Sequence, residues 1–285
     1  MTSGARSKRP AGMIEHTQAL ALRLAVVAAL LTFALAFYAR SLDILRSDIP
    51  LQASNGRGFW FVSVVAVVAY GFVVQYASER GSDVVEQAHR AAGPRAASAA
   101  VLPAMAVFAA LQFVAWDSRL VVVISAPLLA GAGVFTAVVV RHYLLAGDPL
   151  VFRGARLVHL TLTAGVAFLS LSLARGWMPG PVYTLIVVFA IAGLLLYQAY
   201  DGIRAFPVRR IAYALAGAAV VAEVALALSY WPPSGWYGGA ILATVFGVLM
   251  LIVDAVLSRR ISVDVVARYT GAGVAVCGLL AFLAR

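Results

Sequence analysis

The chain has 285 residues, of which 63% are hydrophobic and only 12% are charged. Soluble domains carry about 25% charged residues, so this composition excludes a soluble globular domain and a disordered protein. A membrane-spanning helix uses about 20 residues. The chain therefore has room for about nine such helices with short connections, and none for a separate soluble domain.

Apolar runs of membrane-spanning length follow one another along the chain, separated by charged or Pro/Gly-rich segments. They lack the apolar–polar alternation of membrane β-barrels. The sequence predicts an all-α, polytopic transmembrane helix bundle of about nine spans in successive antiparallel hairpins. A cytoplasmic tail at 1–17 is expected before a single transmembrane domain at 18–285. The predicted spans are 18–39, 59–77, 97–116, 120–140, 156–174, 181–200, 210–230, 237–257 and 265–284.

The distribution of basic residues predicts the orientation. The net charge is +10. In membrane proteins basic residues mark cytoplasmic loops and contact anionic lipid. The lipid bilayer is therefore the expected partner, and nucleic acid is not. With the N-terminus in the cytoplasm, 16 of the 22 Lys and Arg residues fall on the inner side and six on the outer side. We therefore expect a multi-pass plasma-membrane protein with a cytoplasmic N-terminus and an external C-terminus.

Tryptophan gives an independent indication of the same arrangement. Indole rings favour the headgroup level of a bilayer, where one edge meets water. All five tryptophans fall at the predicted outer ends of spans, which indicates that these ends lie at the outer interface. The five are Trp60, Trp116, Trp177, Trp231 and Trp236.

Glu223 is the main candidate for an intramembrane polar site. It lies about 18 Å along its span, by the ~1.5 Å rise per residue. A carboxylate at that depth costs roughly 2.5–3.5 kcal/mol on insertion scales, so we expect it to face the bundle interior. Four small residues, spaced three or four apart, form a stripe on the same helix face as Glu223 and favour a close helix contact there. They are Ala212, Ala216, Ala219 and Ala227. Either a proton- or cation-coupled site or a protonated structural Glu fits this pattern.

Asp254 and His159 complete the set of candidate site residues. Asp254 lies near the inner end of its span, and Asp201 has a similar place on another span. The simpler hypothesis for both acids is an ion pair with a nearby basic residue: Arg204, Arg209, Arg259 or Arg260. For His159, hydrogen-bonded packing beside Thr163 is favoured over haem ligation together with His142.

The sequence predicts no metal site and no cofactor. The single cysteine, Cys277, excludes a multi-cysteine metal site, and no HExxH motif or phosphate-binding loop is present. Three classes of function stay open. The first is a small-solute or ion transporter based on Glu223, and the second is a non-catalytic structural or assembly subunit that joins other membrane subunits or a homo-oligomer. An intramembrane enzyme acting on lipid is the least favoured, because catalysis usually needs several converging polar groups.

Overall fold

A computed structural model describes residues 11–44, 56–89, 98–116, 119–146, 149–177, 180–201, 203, 206–230 and 236–284. These residues form nine α-helices and contain no strand, which confirms the predicted all-α bundle. The helices are α1 (Ala11–Ile44), α2 (Gly56–His89), α3 (Ser98–Trp116), α4 (Leu120–Ala146), α5 (Pro149–Trp177), α6 (Pro181–Ala199), α7 (Pro207–Tyr230), α8 (Trp236–Leu257) and α9 (Val263–Leu283).

Several helices extend beyond the predicted apolar spans. α1 begins at Ala11, inside the predicted tail, and the segments 78–89 and 141–146 continue α2 and α4. An α-helix satisfies its own backbone hydrogen bonds, so it can continue into the polar region after its apolar part ends. In the described residues, eight helices are long and apolar enough to cross a membrane, whereas the apolar section of α3, Ala99–Ala115, is shorter.

The bundle has two groups of helices joined through α3 and α4. One apolar core lies among α1–α4 and a second among α5–α8, and α3 contributes to both. In each group the first helix packs along the fourth and the second along the third. α9 packs on α8 and is otherwise largely exposed.

Contacts at both ends show that α1 and α4, and α5 and α8, are antiparallel. Near the start of α1, Thr17 Oγ1 lies 3.4 Å from Nδ1 of His142, which is close to the end of α4. At the other end of the bundle, Phe168 of α5 stacks on Trp236, the first residue of α8, with 6.1 Å between ring centroids. Antiparallel packing is therefore present, although α1 and α5 pack most extensively on α4 and α8 and not on the helices that directly follow them.

Local sequence signals fix several helix ends. Proline occupies the first position of α5, α6 and α7, where its fixed φ suits a helix and its missing N–H costs nothing. Just after the end of α8, Arg259 has a φ of 54°, and the N–H of Arg260 donates to the carbonyl of Ala255 at 2.8 Å. The Ser262 hydroxyl caps α9 by accepting from the N–H of Val265.

The helix bounds place four tryptophans near one end of the bundle. Trp60 and Trp236 lie at or near the starts of α2 and α8, and Trp116 and Trp177 end α3 and α5. Trp231 lies outside the described residues. The depth of these side chains in a bilayer stays a prediction.

Which end of the bundle faces the cytoplasm also stays a prediction. From the 16-to-6 distribution of basic residues we expect a fusion after Pro233 to be external and a fusion after Arg204 to be cytoplasmic. Alkaline phosphatase, active outside, and green fluorescent protein, active inside, measure this at each position. Fluorescence from the Pro233 fusion would reverse the assigned orientation.

Candidate functional site

At the end of the bundle opposite the tryptophans, charged side chains from α4–α8 converge around Asp201. This residue lies two positions after the last residue of α6 and is buried. Its Oδ2 accepts a hydrogen bond from Nε of Arg141 on α4 at 3.0 Å, and its Oδ1 accepts from Nη2 of Arg210 on α7 at 3.4 Å. Its backbone carbonyl accepts from Nη1 of Arg156 on α5 at 2.8 Å. Asp201 thus connects three helices to the end of a fourth.

Arg156 extends this network to α8. Its Nε donates to Oδ1 of Asp254 at 3.1 Å, and its Nη2 contacts the same oxygen. We call these five residues the ionic cluster: Arg141, Arg156, Asp201, Arg210 and Asp254. The expected pairing of Asp254 with Arg259 or Arg260 is wrong, because Asp254 pairs instead with Arg156 on α5, 98 residues away along the chain.

Arg210 also contacts Tyr197 of α6. Its Nη2 donates to the carbonyl of Tyr197 at 3.4 Å, and its Cζ lies 5.1 Å from the centroid of the Tyr197 ring. A guanidinium over an aromatic face gains from the ring quadrupole, more so when water is excluded. The Nε of Arg210 is buried and has no hydrogen-bond partner in the described chain.

Three further polar side chains lie beside the cluster. His159 is fully buried, and its Nε2 lies 3.0 Å from the carbonyl oxygen of Gln198. Nδ1 of His159, Oε1 of Gln198 and the hydroxyl of Tyr200 are buried without a hydrogen-bond partner among the described residues. Buried polar atoms are paired in the great majority of cases, so three together give this region unused hydrogen-bonding capacity.

The balance of charge in the cluster is positive. Three arginines face two aspartates, which leaves one net positive charge among the described members. Burial by itself raises the pKa of the Asp201 carboxyl, but the guanidinium groups of Arg141 and Arg210 outweigh this and hold that pKa below its usual value. Asp201 is therefore ionised at neutral pH.

Glu223 lies elsewhere and faces outward. Its side chain is exposed on the outer surface of α7, so the prediction that it points into the bundle is wrong for the single chain. The stripe predicted to make the close helix contact lies on the same outer face, with four members that are exposed or half-buried: Ala212, Ala216, Ala219 and Ala227. The opposite face of α7 packs instead, where Gly217 meets Leu196 and Ala218 meets Gly193 of α6.

A family model for proteins of unknown function, DUF5656, matches residues 39–283. The chain belongs to the DUF5656 family. No curated protein and no solved structure matches it. The matched region of this DUF5656 protein runs from the end of α1 through α9 and contains the whole ionic cluster, His159 and Glu223. Membership and the eight apolar helices are compatible with a multi-pass membrane protein.

The structure thus brings two of the three predicted site residues into one region and separates the third. Asp254 belongs to the ionic cluster and His159 lies beside it, whereas Glu223 is on the outer face of α7. The three arginines of the cluster were counted in the sequence only as cytoplasmic-side charge. Their signal was their position: Arg141, Arg156 and Arg210 each lie within the first or last few residues of an apolar span.

Proposed function

We propose that this DUF5656 protein is a non-catalytic subunit that assembles with another membrane protein through the outer face of α7. The observation that carries this proposal is the exposed side chain of Glu223, in the middle part of an apolar span that runs from Val208 to Tyr230. Facing lipid, an ionised carboxylate at that depth would lose several kcal/mol with no partner. A neighbouring protein that donates to it removes this cost.

The surroundings of Glu223 suit a close helix contact. Ala219 and Ala216 lie about one and two turns from it on the same outer face, and small side chains let the backbones of two membrane helices approach. The partner we propose is a transmembrane helix that carries a basic or amide side chain at the depth of Glu223. A second copy of this chain would bring two carboxylates together, which requires at least one of them to be protonated.

Site-specific photo-crosslinking in native membranes tests this proposal. A photo-reactive amino acid at Ala216 is expected to give a discrete protein adduct. The same group at Phe72, an exposed residue on the outer face of α2, is expected to give none and serves as the matched control. Glu223→Leu should reduce the Ala216 adduct at least several-fold, whereas Glu223→Gln, which keeps size and hydrogen bonding, should retain most of it.

Each outcome of the crosslinking has a definite meaning. An adduct of twice the 30.0 kDa chain mass would identify the partner as a second copy. Loss of the adduct in Glu223→Gln would show that the partner needs the charge and is basic. If neither Ala216 nor Phe72 gave a discrete protein adduct, both positions would face acyl chains. The subunit proposal would then fail.

Transport of a small solute or ion is the second proposal, and the ionic cluster is the observation that favours it. Ionisable groups between membrane helices often mark ion pathways. Glu223, the residue on which this hypothesis mainly rested in the sequence, is on the outer surface and gives it no support. Asp254 is then the member to test, because its side chain is 25% exposed and is the more accessible of the two carboxylates in the cluster.

A further inference from the structure

We propose that the ionic cluster binds the phosphate of an anionic phospholipid headgroup at this end of the bundle. The proposal is independent of the partner proposed for α7, because it concerns different helices and a different end of the bundle. It rests on four features of the cluster: its charge, its unused hydrogen-bonding groups, its depth and its access to the surface.

The charge of the cluster fits a monoanion. Its arginines outnumber its aspartates by one, and both carboxylates are already paired with guanidinium groups. A phosphodiester carries one negative charge, which would neutralise the excess. Guanidinium groups are suited to phosphate because their planar N–H donors match its oxygens.

The unused hydrogen-bonding groups lie beside these charges. The Tyr200 hydroxyl is fully buried, has no partner in the described chain, and lies within electrostatic range of Arg156 and Asp254. A hydroxyl can donate to a phosphate oxygen. The buried Nε of Arg210 is a second donor without a partner. On the acceptor side, Oε1 of Gln198 could receive a hydrogen bond from a headgroup hydroxyl, such as those of glycerol.

The depth of the cluster favours a headgroup over a solute carried through the bundle. Each member lies within five residues of the end of its apolar span, about 8 Å by the helical rise. That level corresponds to the boundary between the hydrocarbon and the headgroups. The side chains of Arg141 and Asp254 are 20% and 25% exposed, so the cluster reaches the surface of the bundle at two places. Basic pockets between membrane helices at this level are known recognition sites for anionic lipid headgroups.

Lipid titration of the full chain tests the proposal. The chain is purified in a neutral detergent and titrated with phosphatidylglycerol, with phosphatidylcholine and with sodium phosphate, and bound ligand is measured by native mass spectrometry. Phosphatidylglycerol should bind at least tenfold more tightly than phosphatidylcholine, whose headgroup has no net charge. Tyr200→Phe removes one hydroxyl and should weaken phosphatidylglycerol binding about tenfold, because a hydrogen bond to a charged group has about that effect.

Arg209→Gln is the matched control, because Arg209 is exposed and adjacent to a cluster arginine in sequence. It should change the affinity for phosphatidylglycerol less than twofold. If sodium phosphate binds as tightly as phosphatidylglycerol and competes with it, the ligand of the site is free phosphate and not a lipid headgroup. Equal binding of phosphatidylglycerol and phosphatidylcholine by the unaltered chain would overturn the proposal, whether or not the variants fold. So would a loss of binding in Arg209→Gln that Tyr200→Phe does not share.

Discussion

Asp201→Asn is expected to lower the free energy of unfolding by about 3–5 kcal/mol, the usual cost of removing one partner from a buried ion pair. Asn has nearly the same size as Asp but no charge, so Arg141 and Arg210 would lose the carboxylate that both contact. The backbone carbonyl that accepts from Arg156 is unchanged by this substitution. Unfolding in mixed micelles of dodecyl maltoside and sodium dodecyl sulfate measures the effect.

A control variant and a double variant test whether the lost stability comes from the ion pairs of Asp201. Asp264→Asn, at an exposed position in the first turn of α9, removes the same charge and should change stability by about 0.5 kcal/mol or less. Adding Arg141→Met to Asp201→Asn should restore part of the lost stability, because it removes one of the two cations that lose the Asp201 carboxylate. A loss below 1 kcal/mol in Asp201→Asn would show that water or other groups already solvate Arg141 and Arg210.

The same carboxyl predicts a dependence on pH. The pKa of Asp201 is lowered in the folded protein, so its contribution to stability is complete above the unfolded-state pKa, about 3.9, and is lost as the pH falls through the folded-state pKa. The difference in stability between the unaltered chain and Asp201→Asn should therefore be constant near neutral pH. It should shrink below about pH 4, where protonation makes the two side chains alike.

The predicted helices agree well with the structure because long apolar helices depend on local properties. Length and hydropathy are read along one segment, and the bilayer thickness fixes what length is needed. The start of α8 illustrates this, since span 237–257 and helix Trp236–Leu257 differ by one residue. Polar helix extensions, such as the last three turns of α2, have no apolar signal and are not predicted.

The orientation of α7 could not be predicted in the same way because both of its faces carry small residues. Ala212, Ala216 and Ala219 form one stripe, and Ala214, Ala218 and Ala225 form another. The second stripe packs, since Leu196 of α6 fits against Gly217 on that side. That preference depends on the shape of the facing helix and not on the α7 sequence alone.

The ionic pairs were missed for a related reason. Local spacing suggested Arg259 and Arg260 as partners for Asp254, whereas the actual partner is Arg156. Helix α5 lies beside α8 because of packing over their whole length, including the contact of Gly239 with Ser172 at the other end of the bundle. Which acid meets which base is therefore decided by the order of helices around the bundle.

Gly239→Ala is expected to lower the free energy of unfolding by about 1–3 kcal/mol or more, the usual cost of overpacking a close contact. A Cβ at this position would lie 2.4 Å from the Cα of Ser172 and 2.0 Å from its Oγ. The obstacle includes backbone, which a rotamer change does not remove, so α5 and α8 would have to separate. Because the same two helices hold Arg156 and Asp254 at their other ends, separation there should also weaken that ion pair.

Gly247→Ala, on the same helix, is the matched control. A Cβ at residue 247 would meet nothing within 4 Å. Alanine favours a helix over glycine by about 0.8–1.0 kcal/mol, so this variant should be as stable as the unaltered chain or more stable. Thermal unfolding of both variants in the same detergent compares the two effects directly, with backbone propensity identical in each. If Gly239→Ala proved as stable as Gly247→Ala, α5 and α8 would not be in the close contact that the structure gives them, and the register that joins Arg156 to Asp254 would need another origin.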